Sequence, residues 1–198
     1  MRWLAMLLLL LSALTPAEPA GAAEPAAQRF ASECSSCHGA DGVSTTPLVP
    51  SLAGQPSFYA ITQLFLFRQG RRQNALMTAV AKDMSDAELR AFSDLIGRLP
   101  PRPPAEESAP DAAKQARGAA LAQRLHCTGC HGADLAGGAQ VPRLAGQRED
   151  YLLHALQGFR AATRVGYTAA MNETLAGTSP ADLEDLAHWL SHVAAPAR

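Results

Sequence analysis

The chain has 198 residues, with 17 Lys and Arg against 18 Asp and Glu, for a net charge of −1, and 47% of its residues are hydrophobic. That balance lacks the basic field on which nucleic-acid binding depends, and the apolar content is too high for a disordered chain. All four cysteines fall in two Cys-x-x-Cys-His pentapeptides, which leaves no thiol for any other role.

Residues 1–23 read as a secretory signal peptide. Arg2 supplies a thin basic start, Leu4 to Leu14 is apolar apart from Ser12, and Ala20-Gly21-Ala22 offers a small-residue cleavage pattern. The apolar run falls short of the about 20 residues that span a bilayer. Its alternative is an uncleaved anchor, which implies peripheral membrane association. No other segment of the sequence reads as membrane-spanning, so the bulk of the protein is expected in the periplasm.

Residues 24–100 read as a first domain. Its first helix is expected from about Ala26 to Ser36, carrying Phe30 toward the core and ending in Cys34-Ser35-Ser36-Cys37-His38. Two thiols at i and i+3 lie on one side of a helical turn. They can form thioethers to both vinyl groups of one haem, and the adjacent histidine then reaches the iron. Three alternatives stay open: a four-cysteine zinc site, a thioredoxin-like pair and a structural disulfide. None of them explains the histidine after both pairs, and no βαβ pattern supports the second. Pro50-Ser51-Leu52-Ala53-Gly54-Gln55 follows. A second helix begins near Pro56 with Tyr59, Leu64 and Phe67 on its apolar face. Ser85-Asp86-Ala87-Glu88 is a capping box that opens a third helix, along which Leu89, Phe92, Leu95 and Ile96 recur at helical spacing.

Residues 101–110 read as a linker. Prolines at 100, 101, 103 and 104 exclude a helix or sheet interior and favour a semi-rigid extended tether. Residues 111–198 then repeat the first domain. A helix is expected from about Asp111 to Gly129, with Leu121 and Leu125, running into Cys127-Thr128-Gly129-Cys130-His131. Pro142-Arg143-Leu144-Ala145-Gly146-Gln147 matches the first loop. A helix from near Arg148 carries Tyr151, Leu152 and Leu156, and Ser179-Pro180 with Asp182 opens the last helix through Leu183, Leu186 and Leu190. Tyr59, Phe67-Arg68 and Arg72 recur as Tyr151, Phe159-Arg160 and Arg164. Each unit is small for a self-sufficient core, and a covalently held apolar macrocycle would serve as its staple. The fold class is all-α: two tandem domains, each of about three main helices.

The duplicated CxxCHGAD, the duplicated PxLAGQ, the following Tyr, Arg and Met, and the capped last helix together resemble class I c-type cytochromes, specifically the dihaem cytochrome c4 group. The resemblance covers nearly the whole mature chain. It implies two tandem class I cytochrome c domains with two covalently attached haems c, held through Cys34, Cys37, Cys127 and Cys130. His38 and His131 are the implied proximal iron ligands. By the same resemblance, the carbonyls of Pro50 and Pro142 accept a hydrogen bond from the second ring nitrogen of those histidines, which fixes the ring and raises its basicity.

The sixth ligands are expected to be Met77 and Met171. Each stands at the same separation ahead of its N-cap serine, Ser85 or Ser179, and Met171 is the one methionine of its domain. Met84 lies directly before the capped helix and reads as a hydrophobic staple. Histidine is the competing ligand. The first domain holds only His38, while His154, His188 and His192 take helical positions expected to be surface or partly buried. Tyr59, Tyr151, Arg72 and Arg164 are candidates for haem-propionate or inter-domain contacts, with packing and surface charge as the alternative.

The expected function is electron transfer by two His/Met-ligated haems rather than catalysis, since no nucleophile, acid–base pair or extra metal site is visible. The resemblance implies partners such as a quinol-oxidising cytochrome complex and a terminal oxidase. The alternatives are a cytochrome subunit of a periplasmic dehydrogenase complex, and a haem enzyme or sensor with an open iron site.

Overall fold

The structure, a computed structural model, describes residues 23–102, 109–164 and 169–194. The expected signal segment lies outside the described residues except for its last position, as does most of the Pro-rich tether.

The first half runs α1 (Ala23–Arg29), a π-helical turn (Phe30–Cys34), α2 (Ser35–His38), α3 (Ser57–Arg68), α4 (Ala75–Ala81) and α5 (Asp86–Arg98). The second half runs α6 (Ala112–Arg124), α7 (Cys127–His131), α8 (Glu149–Arg160), α9 (Ala170–Leu175) and α10 (Pro180–His192). Among the described residues the only β pairing is one isolated bridge, Gly138 with Val141. None of the described helices is long and apolar enough to cross a membrane.

Local chemistry starts these helices where the sequence places them. Ser85 Oγ accepts the Glu88 N–H at 3.2 Å while Glu88 Oε2 accepts the Ser85 N–H at 2.8 Å. At α10, Ser179 Oγ accepts the Asp182 N–H at 3.1 Å and Asp182 Oδ2 accepts the Ser179 N–H at 2.8 Å. The shorter aspartate thus closes the same box. Asp111 starts α6 by accepting the N–H groups of Ala113 and Lys114 at 2.8 and 2.9 Å.

The amphipathic faces build one core per half. In the first, Phe30, Leu64, Phe67, Met84, Leu89 and Phe92 are buried together, with α5 packed on α1 and α3. In the second, Leu121, Leu152, Leu156, Leu183, Leu186 and Leu190 play that part, with α10 packed on α6 and α8. The halves meet along a polar seam. Leu48 N–H donates to Asp150 Oδ2 at 2.9 Å, and Arg148 Nη1 donates to the Ser44 carbonyl at 3.2 Å.

Two expectations need correction. The helix expected from Asp111 to Gly129 is broken: α6 stops at Arg124 and His126 takes φ 53 before α7 begins. The first half instead passes unbroken from α1 to α2, through the π turn. There the chain runs in wider i→i+5 turns, such as Ser35 N–H to Phe30 carbonyl. Each half also contains a short further helix, α4 or α9. These helices carry Met77 and Met171.

Candidate haem sites

Each pentapeptide closes a helix, α2 or α7, and its histidine points inward. His38 and His131 are 8% and 5% exposed. His38 Nδ1 lies 2.9 Å from the Pro50 carbonyl oxygen, and His131 Nδ1 lies 2.9 Å from that of Pro142. A carbonyl can only accept, so Nδ1 carries the proton and Nε2 keeps a free lone pair for a metal. Burial depresses the pKa of both rings, against the opposing pull of the proline carbonyls, so the neutral ligating form is favoured.

The proline loops are held by one backbone device in both halves. Leu52 and Ala53 N–H groups donate to the Gly42 carbonyl at 2.7 and 3.0 Å, and Leu144 and Ala145 donate to that of Leu135 at 2.8 and 3.2 Å. Gly39, directly after His38, has φ +82, and a Cβ there would lie 2.1 Å from the Val43 carbonyl oxygen. The residue after the motif therefore has to be glycine for the chain to turn into this loop.

No disulfide joins any of the four cysteines. Burial, reinforced by Glu33, pushes Cys34 up to about 11, and burial also raises Cys127. Among the described residues the one group of three metal-ligating side chains within 4.8 Å is Glu149, His188 and His192. The cysteines of the two halves therefore do not converge on a zinc ion, and no Cys-Cys-His triad is a compact chelate. Two thiols set apart from an inward-facing imidazole suit a broad macrocycle, gripped at its edge and ligated at its centre.

Met77 packs against the first core together with Cys34 and Leu52, and Met171 packs against the second with Cys127 and Leu144. Met84 is 4% exposed within the core that also contains Leu89, the residue a staple would meet. Its carbonyl accepts Arg68 Nη1 at 2.8 Å, as the Thr178 carbonyl accepts Arg160 Nε at 2.6 Å in the second half. Asn74 caps α4 by accepting the Met77 N–H at 2.9 Å.

Tyr151 gathers two guanidiniums at the junction of the halves. Arg72 Nη2 donates to its phenol oxygen at 3.0 Å and Arg164 Nη2 at 3.1 Å. The charge of Arg164 is also felt at the Tyr59 phenol. Their guanidiniums lie 4.4 Å from the Phe67 ring centroid and 4.9 Å from that of Phe159. Burial raises both phenols; at Tyr151 the two arginines outweigh it and bring the phenol well below its ordinary value. Neither arginine pairs with a carboxylate among the described residues. A junction with two cations and no carboxylate fits an anionic group, such as the propionates that haem carries.

His188 corrects the sequence expectation, because it is only 3% exposed. Its Nε2 accepts the Asp111 N–H at 2.9 Å and its Nδ1 faces Glu149 Oε2 at 3.1 Å, so both ring nitrogens serve the packing of α6 and α8 on α10. His154 is exposed, and His192 Nδ1 bonds the His188 carbonyl at 2.7 Å. The roles of Arg68 and Arg160 at the N-caps were not drawn from the sequence, although their recurrence in the repeat was the available signal.

Known proteins share this chain's sequence pattern and fold. A cytochrome c family model matches residues 115–194, and one described as cytochrome C oxidase, cbb3-type, subunit III matches residues 21–96. Cytochrome c4 of Pseudomonas aeruginosa is 32% identical over 92% of this chain and 94% of its own. A thiosulfate dehydrogenase electron acceptor of Thiomonas intermedia is 34% identical over 91% of this chain and 87% of its own. The crystal structure of reduced recombinant cytochrome c4 from Pseudomonas stutzeri superposes with a TM-score of 0.78 at 29% identity, covering 87% of this chain and 98% of that one.

Proposed function

The chain belongs to the cytochrome c4 family of dihaem class I cytochromes, and from that premise we propose that it is a periplasmic carrier of single electrons between respiratory redox partners. The observation that carries this reading is the matched pair of buried histidines, each with Nδ1 bound 2.9 Å from a proline carbonyl.

Residues 24–100 and 111–198 form the two cytochrome c domains, joined by the tether 101–110 and preceded by an export signal in residues 1–23. Cys34 and Cys37 hold one haem c, and Cys127 and Cys130 hold the other. Haem c supplies an iron that alternates between ferrous and ferric and so carries one electron. His38 and His131 offer Nε2 to the iron on one side, and Pro50 and Pro142 keep those rings in the required tautomer and orientation. Met77 and Met171 would supply the second iron ligand, a soft thioether that raises the potential relative to harder donors. With two protein ligands to each iron, no position would remain for a substrate, which favours transfer over catalysis. Arg72 and Arg164 meet the propionates at the junction, where their charge is otherwise matched only by phenols.

The physiological donor and acceptor are redox proteins. A quinol-oxidising cytochrome complex with a terminal oxidase is one pair. The second reading, a cytochrome serving a periplasmic dehydrogenase, is supported by the relative named as a thiosulfate dehydrogenase electron acceptor. Low net charge implies docking through a local patch rather than a long-range field.

A pyridine haemochrome assay on the exported protein should give two haems c per chain; one or none contradicts the proposal. Stopped-flow mixing of the oxidised protein with each reduced donor then separates the two readings. Fast reduction by the quinol-oxidising complex supports the first, and fast reduction by a thiosulfate-loaded dehydrogenase supports the second.

A further inference from the structure

The two PxLAGQ loops face each other across the junction, and each ends in a buried glutamine. Gln55 is 6% exposed and Gln147 is 5% exposed. Gln147 Oε1 accepts the Ser51 N–H at 2.8 Å, and its Nε2 donates to the Ser51 carbonyl at 2.9 Å. Gln55 returns the arrangement: its Oε1 accepts the Arg143 N–H at 3.1 Å and its Nε2 donates to the Arg143 carbonyl at 3.0 Å.

Ser51 directly follows Pro50, and Arg143 directly follows Pro142. One peptide plane therefore carries both bonds. The Pro50 carbonyl accepts the proton of His38 Nδ1, while the N–H of that same peptide donates to Gln147 in the other half. The peptide between Pro142 and Arg143 does likewise for His131 and Gln55.

Amide resonance links the two ends of a peptide. A partner on the N–H shifts electron density onto the oxygen, and bonds in such chains strengthen one another by roughly 10–30%. A stronger acceptor at Nδ1 makes the imidazole more basic toward a metal at Nε2. Glutamine suits this position because one amide satisfies both an N–H and a carbonyl. The other common planar side chain of that length, glutamate, offers no donor.

We propose that Gln147 is a positioning residue for the His38 site and Gln55 for the His131 site, so that each half tunes the histidine of the other. The inference rests on ligation of haem iron by His38 and His131. A more basic histidine favours ferric iron. Loss of a glutamine therefore raises the potential of the haem across the junction and leaves that of its own half in place.

The test uses the full chain with both haems. Gln147→Met and Gln55→Met keep bulk and remove both hydrogen bonds to the opposite loop; Gln147→Met also removes the one that Oε1 accepts from the Arg148 N–H at 3.0 Å within its own half. NMR of the reduced protein follows the Nδ1–H resonances of His38 and His131, and a redox titration follows the two potentials. Gln147→Met should shift the His38 resonance upfield and raise the potential of that haem alone. Gln55→Met should do the same at His131. Gln147→Glu keeps an oxygen for the Ser51 N–H and should return the His38 resonance toward its original position, although it loses the donor to the Ser51 carbonyl. Equal shifts at both sites would reduce the glutamines to interface packing and overturn the inference. A shift in the variant's own half, or none at either site, also overturns it. If one methionine variant does not fold, its counterpart in the other half carries the same test. Absence of two His/Met haems in the unaltered protein would overturn the underlying reading instead, before any variant is compared.

Discussion

Gly42 and Leu135 occupy one position of the repeat and solve one problem with opposite side chains. Both take the left-handed conformation, at φ 76 and 55, and both carbonyls anchor a proline loop. A Cβ at Gly42 would lie 2.7 Å from Leu99 Cδ1, whereas Leu135 is itself 2% exposed in the second core. The first half fills that space with Leu99 from the end of α5, and the second fills it with Leu135, leaving the smaller Val193 after α10. Left-handed leucine costs about 1–2 kcal/mol, and burying its side chain returns about 1.5–3 kcal/mol. The backbone of the site is thus the constant, and the packing behind it varies. The same contrast separates the buried Met84 from Thr178 and the π turn from the break at His126.

The comparison predicts equal behaviour at the iron sites and unequal behaviour behind them. The largest effects should come from the proposed ligands: Met77→Ala and Met171→Ala should each remove about half of the weak long-wavelength Met–Fe(III) absorption. Met84→Ala should leave that band intact while costing about 2–5 kcal/mol of stability by denaturant titration. A loss of the band in Met84→Ala would break the equivalence of Met77 with Met171.

Gly42→Leu comes next, at about 1–3 kcal/mol from overpacking against Leu99. Adding Leu99→Val rebuilds the pairing of the second half and should recover part of that loss. Additive costs would show that the two positions do not share one space.

Ser85→Ala and Ser179→Ala should each cost about 1 kcal/mol, with no difference between halves, because the two capping boxes have the same bonds.

The smallest effect is a slope. Hydrogen bonds from Ser85 and Ser179 hold the Glu88 and Asp182 carboxyls below their ordinary values. A depressed folded pKa gives stability that is complete above the unfolded values of about 4.3 and 3.9 and is lost as pH falls through the folded ones. Thermal midpoints measured downward from pH 5 should fall less steeply in Glu88→Gln and in Asp182→Asn. An unchanged slope would remove the boxes from the acid response.

What could be read from the sequence was what depends on neighbours along the chain. The CxxCH pentapeptides, the serine caps and the helical spacing of Leu183, Leu186 and Leu190 act within a few residues, so their pattern suffices. The break at His126 was missed because propensity alone does not choose between a π turn and a left-handed residue ahead of the motif. The burial of His188 was missed because helical spacing does not reveal that Asp111 and Glu149 converge on it from two other elements. The exchange between Gln55 and Gln147 depends on how two halves dock, which no local pattern carries. Its trace was a glutamine at the end of both repeated loops.

Spectroelectrochemical titration of the holoprotein, followed by absorption and magnetic circular dichroism, tests the central claim most directly. Two one-electron steps of equal amplitude, each with the signature of histidine–methionine ligation, are predicted. The reduced protein should not bind carbon monoxide rapidly. A single step, or a high-spin haem that takes up carbon monoxide at once, would contradict two closed iron sites built for electron transfer.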